Sequence, residues 1–228
     1  MFFAPFFLIY FVLLLGVLFF FFALIQVGLI TYALQHTGLT AQEAFTMLLL
    51  SLLGSFINIP VWRLESEGRD ALEVVNYFGI RYRVPAHPTG GSTVVAVNVG
   101  GAVLPTLLSL YLLLREPAML VSGVLAVVIV SLVTYRFARP LKGVGIAMPM
   151  FVSPLTAALA AYLFSGLLAG NYDVSAVAYV SGTMGTLIGA DLCNLGKLRQ
   201  LGAPVASIGG AGTFDGIFLS GLIAALLA

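Results

Sequence analysis

Two aspartates stand in apolar surroundings where a carboxylate is expensive to keep, and such residues are functional candidates by default. Asp191 lies in Gly185-Thr-Leu-Ile-Gly-Ala-Asp191-Leu-Cys-Asn194, and Asp215 lies in Gly209-Gly-Ala-Gly-Thr-Phe-Asp215-Gly-Ile-Phe-Leu-Ser220. Brought within a few ångströms, two carboxyl groups cannot both ionise, and the pair shares a proton. One member can then activate water while the other polarises a carbonyl, the chemistry of aspartyl hydrolysis. The same pair could instead hold a cation. Asn98, Asn194, Gly212 and Ser220 join the aspartates as candidate substrate- or ion-binding positions. Structural duties compete with this reading. Asp191 could reach the headgroups beside Asn194 or Lys197, and Asp215 could meet the positive end of a helix dipole. Asp173, in Asn171-Tyr172-Asp173, reads as an N-cap.

The elements that must position these residues follow from composition. Of 228 residues, 61% are hydrophobic and 8% are charged, against roughly 25% charged in a soluble domain. Mean hydropathy is +1.10. A soluble enzyme, a disordered tail and a nucleic-acid binder are excluded, and a net charge of +1 leaves no basic field for phosphates. The single cysteine, Cys193, excludes an internal disulfide and a cysteine-based zinc site. No cofactor is implied, and a metal site is left open.

The fold class is an all-α membrane protein with about seven transmembrane helices, forming one integral domain over residues 1–228. Spans of about 20 apolar residues fall at Pro5 to Ala33, Thr40 to Ile59, Thr93 to Leu114, Pro117 to Tyr135, Pro154 to Leu168, Val174 to Leu195 and Ile208 to Ala228. The first is read as a retained helix rather than a signal peptide, because it has no basic leader and is too long. Thr40-Ala-Gln-Glu43 has capping-box spacing. Gly185 and Gly189 on the sixth span, with Gly212 and Gly216 on the seventh, form small-residue faces expected to pack on each other. Asn98, Gly100, Gly101 and Pro105 mark a kink or a polar cavity in the third span. The glycine-rich approaches to the fifth and seventh spans, Lys142 to Pro149 and Gly209 to Gly212, could dip into the bilayer.

Nine of the ten Lys and Arg residues fall on the side holding the loops after spans two, four and six, which leaves Arg115 alone opposite. That bias places the N-terminus in the cytoplasm and the C-terminus outside, in a cell membrane. In the loop 61–91, period-two alternation over Phe78 to Val84 predicts a strand. Val61 to Glu65 is its plausible partner across a turn at Ser66 to Asp70, giving a small cytoplasmic β-hairpin.

Three stretches carry a resemblance: Val97 to Pro105, Leu187 to Leu195 and Gly209 to Ser220. With them the whole chain resembles an uncharacterised prokaryotic family of multi-pass membrane proteins, a domain of unknown function. More distantly, Gly212-Thr-Phe-Asp215 resembles the seventh-helix motif of the GxGD intramembrane aspartyl proteases, the presenilin and signal-peptide-peptidase group. Phe214 stands where that motif has its second glycine, and Asp191 lacks the tyrosine that precedes the group's sixth-helix aspartate. The resemblance implies an intramembrane hydrolase with Asp191 and Asp215 as catalytic residues. The alternatives are an ion- or proton-coupled transporter or channel and a non-catalytic membrane scaffold. Partners are then the bilayer and a membrane-embedded substrate or a cation, with no nucleic acid.

Overall fold

The computed structural model describes residues 5–65, 74–77, 80–83, 92–141, 145–168, 172–200, 205–210 and 216–228. The chain runs α1 (Pro5–Gln35), α2 (Ala41–Gly54), β1 (Asn58–Glu65), β2 (Val74–Tyr77), β3 (Ile80–Arg83), β4 (Ser92–Asn98), α3 (Leu104–Arg115), α4 (Leu120–Phe137), β5 (Arg139–Leu141), β6 (Gly145–Ala147), α5 (Val152–Leu168), α6 (Val174–Thr186), β7 (Val205–Ile208) and α7 (Gly216–Leu227). Three helical segments among the described residues are long and apolar enough to cross a membrane: Phe11–Gln35, Pro117–Phe137 and Val174–Leu198. The other apolar helices are shorter, so among the described residues the expected seven full spans are corrected to three.

The shortening has a cause at each place. The second span ends as helix at Gly54 and turns through Ser55 into β1. The third is a strand as far as Asn98, a π-helical turn over Val99–Val103, and only then α3. Its Thr93, Val94, Val95 and Val97 are residues whose branching at Cβ favours a pleated backbone. In the seventh, Val205–Ile208 is a strand and the described helix begins at Gly216.

The chain is therefore not all-α. β1, β4 and β7 form a three-stranded sheet in the order β1-β4-β7. β1 lies antiparallel to β4, with Asn58 opposite Asn98 and a bulge between Pro60 and Trp62. β4 lies parallel to β7, with Val97 opposite Ile208, so α3 to α6 form the crossover a parallel pair requires. The predicted hairpin has a different partner. β3 pairs with β2, Val74 opposite Arg83, while Val61 to Glu65 belongs to the larger sheet. Ser66 to Asp70 lie outside the described residues. β5 and β6 pair as a short hairpin before α5.

α6 is the central helix, packed by α3, α4, α5 and α7 and buried along almost its whole length. Its glycines admit this approach. An added Cβ at Gly185 would stand 2.5 Å from Val130 Cβ, and one at Gly189 would stand 2.1 Å from the Ser131 carbonyl oxygen. Both glycines thus face α4, not α7 as expected from their spacing. α7 meets α6 through Gly182 and Gly221 instead, while Gly216 has nothing within 4 Å of its Cβ position. Hydroxyls tie the helices where carbonyls are shared: Thr134 donates to the Gly185 carbonyl at 3.0 Å, and Ser153 and Thr186 meet at 2.5 Å.

α1 stands apart. From Phe11 onward it is buried only at its end, at Ala33 and Leu34, while Phe11 to Phe22 are largely exposed. Both expected caps form. Thr40 accepts from Glu43 N at 3.3 Å while Glu43 accepts from Thr40 N at 2.8 Å, and Asp173 accepts from Ser175 N at 2.9 Å. Asp173→Ala should lower stability by about 1 kcal/mol, read as a drop in the thermal midpoint of the detergent-solubilised chain.

Candidate functional site

The three resemblance stretches converge at the sheet end of the bundle. Val95 of β4, Ala102 of the first π turn, Ile208 of β7, Ile217 of α7 and Leu198 form one buried apolar cluster, with Leu187 and Leu195 packed against it. A π turn opens the helical ring by one residue and marks functional segments more often than ordinary helix does. Two of the three stretches contain one: Val99–Val103 after β4, and Leu187–Asp191 after α6.

Asn98 organises the first. Its side chain is fully buried, and its amide donates to the Ser55 carbonyl at 2.7 Å and to Asn58 Oδ1 at 3.1 Å. Its own Oδ1 accepts from Gly101 N at 2.8 Å and so caps the π turn. The Ser207 hydroxyl lies 2.6 Å from both Asn58 Oδ1 and the Gly210 carbonyl, and its single hydrogen serves one of them. One polar network thus joins the end of α2, both outer strands and the first π turn. Asn98→Leu would strand the Gly101 N–H and the Ser55 carbonyl in a dry site. A loss of about 3 kcal/mol follows, measurable as early thermal unfolding.

Backbone contact reinforces the network. A Cβ on Gly100 would lie 1.9 Å from the Ser51 carbonyl oxygen, and one on Gly101 would lie 2.0 Å from that of Gly209. Gly209 itself has φ of +82°, a conformation side chains resist. The glycines of the third span therefore serve close packing of α2, the π turn and the β7 exit. Asn98 sits at the end of a strand and not within a membrane helix.

Asp191 is the last residue of the second π turn and is half-buried. Asn194, fully buried, donates to the Gly189 and Ala190 carbonyls at 3.1 and 2.9 Å. It thereby satisfies two backbone acceptors of the π turn. Its Oδ1 is buried with no hydrogen-bond partner. Ser220 is buried on α7, its carbonyl against Gly182. Asp215 and Gly212 lie outside the described residues, as do Lys142 and the segment 211–215 that leads into α7. Asp173 caps the opposite end of α6, away from Asp191, as its spacing requires. Reading the sequence missed Ser207. The short strand Val205-Ala-Ser-Ile208 has no period-two alternation, so nothing local marked it.

A family model described as protein of unknown function, DUF1614, matches residues 52–227. The chain belongs to the DUF1614 family. The DUF1614 match takes in the sheet, both π turns and α3 to α7, and it starts near the end of α2. No curated protein and no solved structure matches this DUF1614 chain.

Proposed function

We propose that this DUF1614 chain is a membrane-embedded hydrolase in which Asp191 and Asp215 act as a carboxylate pair on a peptide or other acyl bond near one membrane boundary. One carboxylate would draw the proton from water, and the other, protonated, would hydrogen-bond the scissile carbonyl. The observation that supports this reading is the shared cluster under the sheet. Leu187, four residues before Asp191, packs on the same cluster that buries Ile217, two residues after Asp215. In this proposal the sheet end faces the cytoplasm, the side to which the sequence's charge bias assigns nine of the ten basic residues.

A second reading, proton- or cation-coupled transport, draws on other atoms. The Tyr179 and Thr183 hydroxyls are buried on α6 without a well-formed hydrogen bond, and Asn194 Oδ1 is unpartnered near its end. Buried polar groups on a central membrane helix suit an ion path. The two readings separate in one preparation. The full chain in liposomes is given a fluorogenic single-span peptide, then assayed for proton, sodium and potassium flux. Cleavage that disappears in Asp191→Asn and Asp215→Asn supports the hydrolase. Flux that disappears in the same variants without any cleavage supports transport. Cleavage and flux both untouched by the two substitutions would overturn each reading.

A further inference from the structure

At the end of the bundle away from the sheet, α2 and α3 stand apart. α2 is held close at Gly54, which meets Gly100 of the π turn before α3, and toward the other end a cavity of about 630 Å³ opens between α2 and α3. That volume lies within the range of ordinary small-molecule sites. Its lining is ordered by polarity along α2. Leu39, Thr40, Gln42, Glu43 and Thr46 hold the outer end, four of the five polar, and Met47 and Leu50 continue inward, with Leu108 and Tyr111 of α3 opposite. From Thr40 to Leu50 is about 15 Å along a helix axis. A polar mouth thus leads into an apolar trough over a single face of α2.

The mouth also carries two opposite charges. Arg115 follows Tyr111 by four residues and projects from the same side of α3. It spends one donor on the Gly38 carbonyl, at 3.0 Å, and keeps four more. It is exposed, and it stands near enough to Glu43 for the two charges to interact. Glu43 holds the Thr40 cap through Oε2, which leaves Oε1 available. Of the ten basic residues the sequence's charge bias sets Arg115 alone on this side, and the anion contact proposed here rests on it.

We propose that this groove binds one phospholipid with a primary-amine headgroup, independently of any chemistry at the aspartates. The phosphate would take the free Arg115 donors, the ammonium would meet Glu43, and an acyl chain would lie between Met47, Leu50 and Leu108. Opposite charges at the mouth select a zwitterionic headgroup over an anionic one, and an ammonium with hydrogens selects it over a quaternary amine.

The test uses the full chain in detergent, with bound lipid counted by native mass spectrometry after titration with dioleoyl phosphatidylethanolamine, phosphatidylcholine or phosphatidylglycerol. Wild type should hold one phosphatidylethanolamine per chain, about tenfold tighter than either other lipid. Glu43→Gln keeps a residue competent for the capping box and should erase the preference over phosphatidylcholine. Arg115→Gln should weaken phosphatidylethanolamine about tenfold. Leu50→Trp should displace the lipid by filling the trough while leaving both charges in place. Equal retention of the three lipids by wild type would overturn the proposal as annular lipid only. So would full retention in both Arg115→Gln and Leu50→Trp with the fold intact by circular dichroism.

Discussion

Asp215→Asn should abolish turnover of a membrane substrate, with a fall of about 10³-fold or more, while the thermal midpoint stays near wild type. Positioned acid-base groups contribute roughly 10²- to 10⁴-fold each, and members of one catalytic unit fail together when either is lost. Asp191→Asn should therefore cost about as much as Asp215→Asn, and the double variant little more. Asparagine keeps the shape of the side chain, so folding should change by less than about 1 kcal/mol. Asp191 is only half-buried and ends a π turn held independently by the Asn194 amide. The wild-type rate should follow a bell in pH, because the working state carries one proton between two carboxyls. Two independent Asn variants each keeping more than about half of wild-type turnover would remove the pair from the mechanism.

The largest structural effect should come from Gly100→Ala. Its new Cβ would lie 1.9 Å from the Ser51 carbonyl oxygen and 2.4 Å from Ser55 N. Both are backbone atoms, which cannot swing aside as a side chain can. α2 would have to move off the π turn, and Asn98 would lose the Ser55 carbonyl with it. Overpacking of this kind costs about 3 kcal/mol or more, a large share of the roughly 5–15 kcal/mol that holds a domain together. Expression in folded form should fall sharply, and any folded detergent-solubilised fraction should melt well below wild type. Gly166→Ala is the matched control, since nothing stands within 4 Å of its Cβ position and alanine favours helix. Equal midpoints for the two variants would show that α2 and the π turn are not in backbone contact.

The membrane character was plain in the sequence, and so were the helix starts that announce themselves chemically. Thr40 with Glu43 and Asp173 with Ser175 cap where their spacing says they should. Of the three-stranded sheet only β1 was legible, as the strand Val61 to Glu65; β4 and β7 were not. Val94 to Val97 is a continuous apolar run, and such a run shows neither the period of a helix nor that of a half-buried strand. Its many β-branched residues were the available clue. The pairing of Val94 with Val205 joins positions more than a hundred residues apart, and no local pattern announces it. Glycine spacing on the sixth span announced a close helix contact without naming the partner, since α4 and α7 both bring small or yielding groups to α6. At the candidate site, Asn98 and Asn194 drew notice as polar residues in apolar company. What they do, capping two π turns, depends on backbone geometry that residue types do not encode.

α1 carries a last consequence. Its apolar stretch Phe11–Gln35 is 25 residues, about 37 Å of helix, against a hydrocarbon layer of about 30 Å. It is greasy on every side, and over Phe11–Gln35 only Ala33 and Leu34 are buried against the bundle. Such a rod is long enough to cross with some tilt, and rotation about its own axis changes little. The chain therefore occupies a wider disc of bilayer than its packed helices fill, and a neighbour drifting in the membrane would meet this leaning mast before it reached the bundle.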